Sequence, residues 1–172
     1  EKNNGTTIIF KPDPEIFTEL VFDAPTVKHR LQELAFLNKG LKIIFSDERD
    51  GAREEFKYDG GVVAYVEHLN AKKESLYKPP VYVQGEKENV FVEVALQHVK
   101  DYYDENLFSF VNCIKTKEGG THLAGFRTAI TRAANNYAKK IKLIKENETL
   151  MGDDVREGIV AVINTRVPSP QF

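Results

Sequence analysis

Residues 118 to 127 read Glu118-Gly119-Gly120-Thr121-His122-Leu123-Ala124-Gly125-Phe126-Arg127, and the glycine pair divides a β-rich run from a long run with helical spacing. Gly119 and Gly120 allow positive φ or close backbone approach without a Cβ penalty. The Thr121 hydroxyl can accept from the unpaired amides of a first turn, so a helix is predicted from about Thr121 with Thr121 as its cap. Beyond it, Leu123, Phe126, Ile130, Ala133, Ala134, Tyr137 and Ile141 recur at helical spacing and form one apolar face running to about Lys140. Projected at about 100° per residue, Arg132 and Lys139 lie opposite that face and Arg127 on its flank. A glycine turn ahead of a helix can also hold a phosphate. This one lacks the G-x-x-x-x-G-K-[ST] and G-x-G-x-x-G spacings, so a helix-starting turn is favoured over an anion site.

Working outward, Thr6 to Phe10 is β-branched and apolar and is closed by Lys11-Pro12-Asp13-Pro14, a strand followed by a turn. Asp23-Ala24-Pro25 opens a helix whose stripe is Val27, Leu31, Leu34, Ala35 and Asn38, and Lys39-Gly40 ends it. Leu41 to Phe45 reads as a short strand, with Glu54 to Tyr58 pairing back across a charged turn. After Asp59-Gly60-Gly61, the spacing of Val62, Val63, Tyr65, Val66 and Leu69 suits a short amphipathic helix. Lys72 to Pro80 is a polar loop. Val81 to Gly85, Asn89 to Leu96 and Leu107 to Ile114 read as strands, Gly152 to Gly158 as a capped helical turn, and Ile159 to Val167 as a last strand. This mixed order with hairpins points to an α+β domain rather than a doubly wound parallel sheet.

The composition bounds the function. Of 172 residues, 41% are apolar and 29% charged, an ordinary globular balance for one domain. No run of about 18 apolar residues could span a membrane. The formal charge of −2 excludes a freestanding, strongly basic nucleic-acid binder. Contact with DNA would need a local patch, or a larger assembly that supplies positive charge. The densest basic cluster is Lys139-Lys140, Lys142 and Lys145 with Arg127 and Arg132, whose ordinary reading is a solvated helix face. Phe126 and Tyr137 fall on the apolar stripe, which argues against a base-stacking platform.

Candidate chemistry is sparse. Cys113 stands alone, reads as a buried strand thiol, and excludes an internal disulfide. His29, His68, His98 and His122 show no paired ligand spacing, so a metal site is rejected. Asp153 and Asp154 read as an N-cap with a favourable dipole contact rather than as catalytic acids. There is no G-x-S-x-G and no paired nucleophile and base. The start lacks a methionine and a signal-peptide core, and both ends read as cuts from a longer protein.

Ordered blocks along the whole chain carry a resemblance. They include Gly5-Thr6-Thr7, Arg30-Leu31 with Glu33 to Asn38, Tyr58-Asp59-Gly60-Gly61 with Tyr65-Val66 and Leu69-Asn70, and Val94-Ala95-Leu96-Gln97. They continue through Asn112, Ile114 and Thr116, Gly119 to Arg127, Thr131-Arg132 with Asn135, Gly152-Asp153-Asp154 with Arg156-Glu157-Gly158, and Val167-Pro168 with Pro170 and Phe172. In these blocks the chain resembles the gyrase B family of type II DNA topoisomerases, with the B subunit of topoisomerase IV as a near alternative. A ribosomal-type RNA-binding module and a self-sufficient small-molecule enzyme are more remote alternatives.

The resemblance implies that residues 1 to 172 are a single transducer domain, lacking the upstream GHKL ATPase domain and the downstream TOPRIM domain. It implies a mixed sheet with helices packed on one side, in a ribosomal-protein-like split βαβ fold. ATP and Mg would bind mainly outside this chain, because the family's Gln-Thr-Lys lysine falls beyond Phe172, and the fragment alone would be inactive. The parent would be an ATP-hydrolysing, cytoplasmic topoisomerase that supports negative supercoiling. Its partners would be the transported DNA segment, the gyrase A protein and a second gyrase B copy. Arg127 matches the family's cavity-facing arginine and is expected to face DNA; Arg132 and Lys139 join it on charge and helical position.

Overall fold

The computed structural model describes residues 4–9 and 12–172. Helix α1 (Ala24–Leu37) starts where Asp23 accepts the Thr26 amide at 2.9 Å, and Pro25 sits in the first turn where its missing N–H costs nothing. Strands β1 (Ile43–Asp47) and β2 (Ala52–Phe56) form the expected hairpin, with Ile43 opposite Phe56. Helix α2 (Val62–Leu69) follows Gly61, whose φ of 58° suits glycine. Then come β3 (Val81–Lys87), β4 (Val90–His98), β5 (Asn106–Val111), β6 (Ile114–Lys115), α3 (Thr121–Lys140), α4 (Gly152–Arg156) and β7 (Ile159–Arg166).

The second sheet has the order β3-β4-β7-β5-β6. Only the β5 and β7 pair is parallel, with α3 in the crossover; the other pairs are antiparallel. The mixed α+β class read from the sequence is what the structure shows. Two particulars differ. The parallel strands are direct neighbours, so the βαβ unit is not split, and helices cover both sheet faces rather than one.

The reason lies in β7. Its run from Ile159 to Thr165 is buried without a break, as expected of a central strand covered on both sides. On one face Val162, Ala95 and Phe110 pack under Phe36 and Leu37 of α1 and Val62, Tyr65 and Val66 of α2. The Phe36 ring stacks on Tyr58 at 3.6 Å and on Tyr65 at 4.7 Å. On the other face Ile159, Ala161, Ile163 and Leu96 meet Leu123, Phe126 and Ile130 of α3.

Several local expectations are corrected. Thr6 to Ile9 forms no strand, and Ile8 and Ile9 are 80% and 90% exposed and pair with no strand among the described residues; Phe10 lies outside those residues. Leu107 to Ile114 is not one strand, because Asn112 and Cys113 turn at φ 47° and 64° and fold β6 back on β5. Cys113 is therefore a half-buried turn residue, with its Sγ 3.4 Å from the Asn38 amide nitrogen. Met151, not an aspartate, occupies the cap of α4, and Asp153 and Asp154 sit in its first turn.

Helix α3 begins at Thr121 and ends at Lys140 as predicted, but Thr121 does not cap it. Gly120 is the N-cap, at φ 140°, and no side chain bonds the first amides. The covered stripe differs in its last turns. Leu123 and Ala138 are both buried, while Tyr137, placed on the stripe by spacing, is 64% exposed.

Candidate nucleic-acid interface

The turn that launches α3 is held from behind. His122 Nε2 lies 3.3 Å from the Thr116 hydroxyl, which donates to the Ser109 carbonyl at 3.0 Å and lies 2.6 Å from the Ser109 hydroxyl. Burial pushes the His122 pKa down, favouring a neutral ring within this network. The start of α3 is thus locked onto β5 and β6, and its outer face is presented at a fixed angle to the sheet.

On that face a ring of charge closes around Glu105, the residue before β5. Arg127 Nε donates to Glu105 Oε1 at 2.8 Å and its Nη2 reaches the same oxygen. Arg156, from α4, donates through Nε to Glu105 Oε2 at 2.7 Å, through Nη2 to Asp153 at 2.7 Å, and through Nη1 to the Thr131 hydroxyl at 3.2 Å. Gly152 makes room for this: a Cβ there would stand 2.6 Å from Arg156 Nη1. An open hollow of about 400 Å³ results, lined by Arg127, Thr128, Thr131, Arg132 and Arg156.

The structure thus brings Arg127 and Arg132 together, but not Lys139. Lys139 Nζ donates to the Glu146 carbonyl at 2.7 Å and ties the end of α3 to the loop beyond it. Arg127 is not a free cation aimed at solvent, since its half-exposed guanidinium is already partnered. Arg156 and Glu105 were missed by sequence reasoning. They are 51 positions apart, and nothing in either local pattern announces the pairing. Tyr137 is exposed, so burial no longer argues against its making an aromatic contact, but it does not line this hollow.

Burial alone would raise the Glu105 carboxyl, but the hydrogen bonds and charges of Arg127 and then Arg156 outweigh it and hold the group below its ordinary 4.5. A carboxyl depressed in the folded state binds fewer protons there than in the unfolded chain. Its stabilisation is therefore complete above pH 4.5 and is lost as pH falls through the folded value. Glu105→Gln is expected to cost about 1–2 kcal/mol at neutral pH, a gap that shrinks below pH 4.5. Urea unfolding of both proteins across pH reads it, and a gap that stays constant into acid would refute the pairing.

The sequence pattern of the DNA gyrase B family matches residues 61–172. The chain belongs to the DNA gyrase B family. Its relatives include the DNA gyrase B protein of Clostridium acetobutylicum, 53% identical over 171 residues, covering 98% of this chain and 27% of that protein. The chain thus spans about a quarter of the length of the curated gyrase B relatives it matches. Among solved structures, the 43K ATPase domain of Thermus thermophilus gyrase B, crystallised with an aminocoumarin, superposes at a TM-score of 0.82 with 42% identity, over 95% of this chain and 44% of that one. The topoisomerase IV ATP-binding domain of Francisella tularensis shares the fold at a TM-score of 0.75 and 22% identity, over 94% of this chain and 43% of that one. Hydropathy adds one bound: among the described residues, no helix is long and apolar enough to cross a membrane.

Proposed function

We propose that this chain is the transducer part of a gyrase B protein, a single domain that relays ATP binding and hydrolysis elsewhere in a type II topoisomerase to DNA strand passage. Family membership supports the parent, and the observation that carries the DNA-facing role is the hollow where Arg127 and Arg132 of α3 meet Arg156. Guanidinium groups present planar forks suited to phosphate oxygens, and here α3 and α4 bring three of them to one open hollow. Lys139, tied to the loop, contributes charge along the same helix.

The parent would be cytoplasmic, would support negative supercoiling, and would act with the gyrase A protein, a second gyrase B copy and the transported duplex. ATP and Mg would bind mainly outside these residues. Among the described residues no group of three His, Cys, Asp or Glu side chains fits a metal ion. The chain alone would not hydrolyse ATP.

Arg127→Gln in the full-length gyrase B protein tests the reading. Losing one charge-assisted phosphate contact, worth about 1.5–3 kcal/mol, should lower supercoiling by roughly ten- to a hundredfold. The fold and ATP binding should stay intact. Unchanged supercoiling with unchanged stimulation of ATP hydrolysis by DNA would overturn the role of Arg127.

A further inference from the structure

The hollow on α3 already contains an anion of the protein's own. Each oxygen of Glu105 takes one arginine, Arg127 on Oε1 and Arg156 on Oε2. This carboxylate occupies the geometry that two guanidinium forks offer to any tetrahedral or planar oxyanion. The segment leading to it, residues 101–104, is exposed throughout and lies outside helix and strand, between the corner packed on Gly158 and the start of β5. By contrast, Arg156 is braced by Thr131 and Asp153, and its charged end is held against Gly152. Arg156 is thus held independently of Glu105, whereas among the described residues the Arg127 guanidinium bonds to Glu105 alone and is left without a partner when that carboxylate moves.

We propose that this hollow is a phosphodiester subsite for duplex DNA, made by Arg127, Arg156 and the Thr131 hydroxyl with Arg132 at its lip, and that Glu105 is the resident anion that a DNA phosphate displaces. The inference rests on the reading of α3 as DNA-facing and adds to it two residues, Arg156 and Thr131, and a regulatory one. With Glu105 in place, the three arginines face Glu105 and Asp153 and the site keeps one net positive charge. With Glu105 displaced it presents two. A chain with an overall charge of −2 thereby keeps its DNA-binding charge neutralised until a backbone phosphate is close enough to compete. Duplex backbone is favoured over a small anion because the hollow is open and its lip residues Thr128 and Arg132 are exposed along the helix.

The test uses the 172-residue chain and a short fluorescent DNA duplex, titrated by anisotropy at several salt concentrations. Glu105→Gln is expected to tighten duplex binding roughly three- to tenfold and to steepen the salt dependence by about one unit of log–log slope. Adding Arg156→Gln to that variant should return both to the parental values. A purely structural Glu105 predicts the reverse, weaker or unchanged binding, and that result overturns the proposal. If Arg127→Gln weakens binding while Glu105→Gln does nothing, the helix faces DNA but Glu105 does not compete. If neither variant moves duplex binding, the DNA-facing reading falls as well.

Inorganic phosphate is titrated in parallel. A gain confined to phosphate would assign the hollow to a free anion and overturn the duplex assignment. A second measurement needs no variant: on adding duplex to the unaltered chain, the side-chain Nε resonances of both Arg127 and Arg156 should shift. An unmoved Arg156 resonance sinks the proposal.

Discussion

Glu33→Ala should lower the stability of the chain by about 1–3 kcal/mol, the usual consequence of leaving a buried hydrogen-bonding group without its partner. The Glu33 side chain is only 5% exposed. Arg30 Nη1 donates to its Oε2 at 3.1 Å and the Tyr65 hydroxyl to its Oε1 at 3.1 Å, while Lys115 Nζ and His29 Nε2 stand 3.8 Å and 3.7 Å from Oε1. Arg30 also reaches the Cys113 carbonyl. One carboxylate therefore joins α1, α2 and the β5–β6 hairpin. Alanine would leave the buried Tyr65 hydroxyl without its acceptor and the part-exposed Arg30 and Lys115 without their counter-ion, whereas Glu33→Gln keeps the shape and one acceptor and should cost about half as much. A second readout comes from Tyr65, whose hydroxyl pKa is raised by burial first and then by the charge and hydrogen bond of Glu33. In Glu33→Ala that pKa should fall but stay above its ordinary value, since burial remains. Urea unfolding and an alkaline absorbance titration read both effects, and a loss under about 1 kcal/mol with an unmoved tyrosine would refute the account.

The location of that cluster bears on function. It lies on the sheet face covered by α1 and α2, while the arginine hollow lies beyond α3 on the other. Glu33 variants that remain folded should therefore bind DNA like the parent chain. The sheet separates a stabilising face from the face proposed to meet DNA, and β7, buried on both sides, belongs to both cores.

The sequence made the elements legible wherever one period ruled. Helix α3 was bounded correctly because glycines precede it and its first two turns carry apolar residues at helical spacing. The β1–β2 hairpin followed from a charged turn between apolar runs, and β3–β4 was read as a pair although β3 runs through Gly85 to Lys87 and turns at Glu88 and Asn89 instead. Where two signals overlapped, the reading failed. Asn112 and Cys113 interrupt an apolar run without any glycine, so a hairpin looked like one strand. Tyr137 repeats the helical stripe yet is exposed while its neighbour Ala138 is buried, and periodicity does not record which residue of a turn the rest of the chain covers.

The site was legible only in part, for a related reason. Arg127 and Arg132 share a helix, so spacing could bring them together. Glu105 and Arg156 meet them only because β5 and β7 lie side by side and parallel, which brings the residue before β5 close to the helix before β7. That adjacency depends on tertiary pairing, which a charge count along the chain cannot reveal. The aspartates of Gly152-Asp153-Asp154 illustrate the same limit. Read as a cap, Asp153 is instead a partner that braces Arg156.

Gly158→Ala is expected to cost about 2–4 kcal/mol and to disturb the hollow from a distance. Gly158 takes φ 67°, where an alanine is strained by about 1 kcal/mol. A Cβ there would also stand 2.7 Å from the Val99 carbonyl oxygen and 3.0 Å from that of Tyr102. Both obstacles are backbone, so no side chain can swing aside. The same corner is bonded, the Val99 amide donating to the Gly158 carbonyl at 2.9 Å, and backing away would break that bond at the entry to β7. Gly158 lies two residues after Arg156, and the loop it would displace runs from Val99 through Tyr102 towards Glu105, so the substitution moves both partners of one ion pair in different directions. The expected result is a lowered urea midpoint together with a weakened contribution of Glu105 at neutral pH: in the Gly158→Ala background, Glu105→Gln should cost less than it does in the parent chain. Equal costs in the two backgrounds would mean that the corner at Gly158 supports the strand but not the charge cluster.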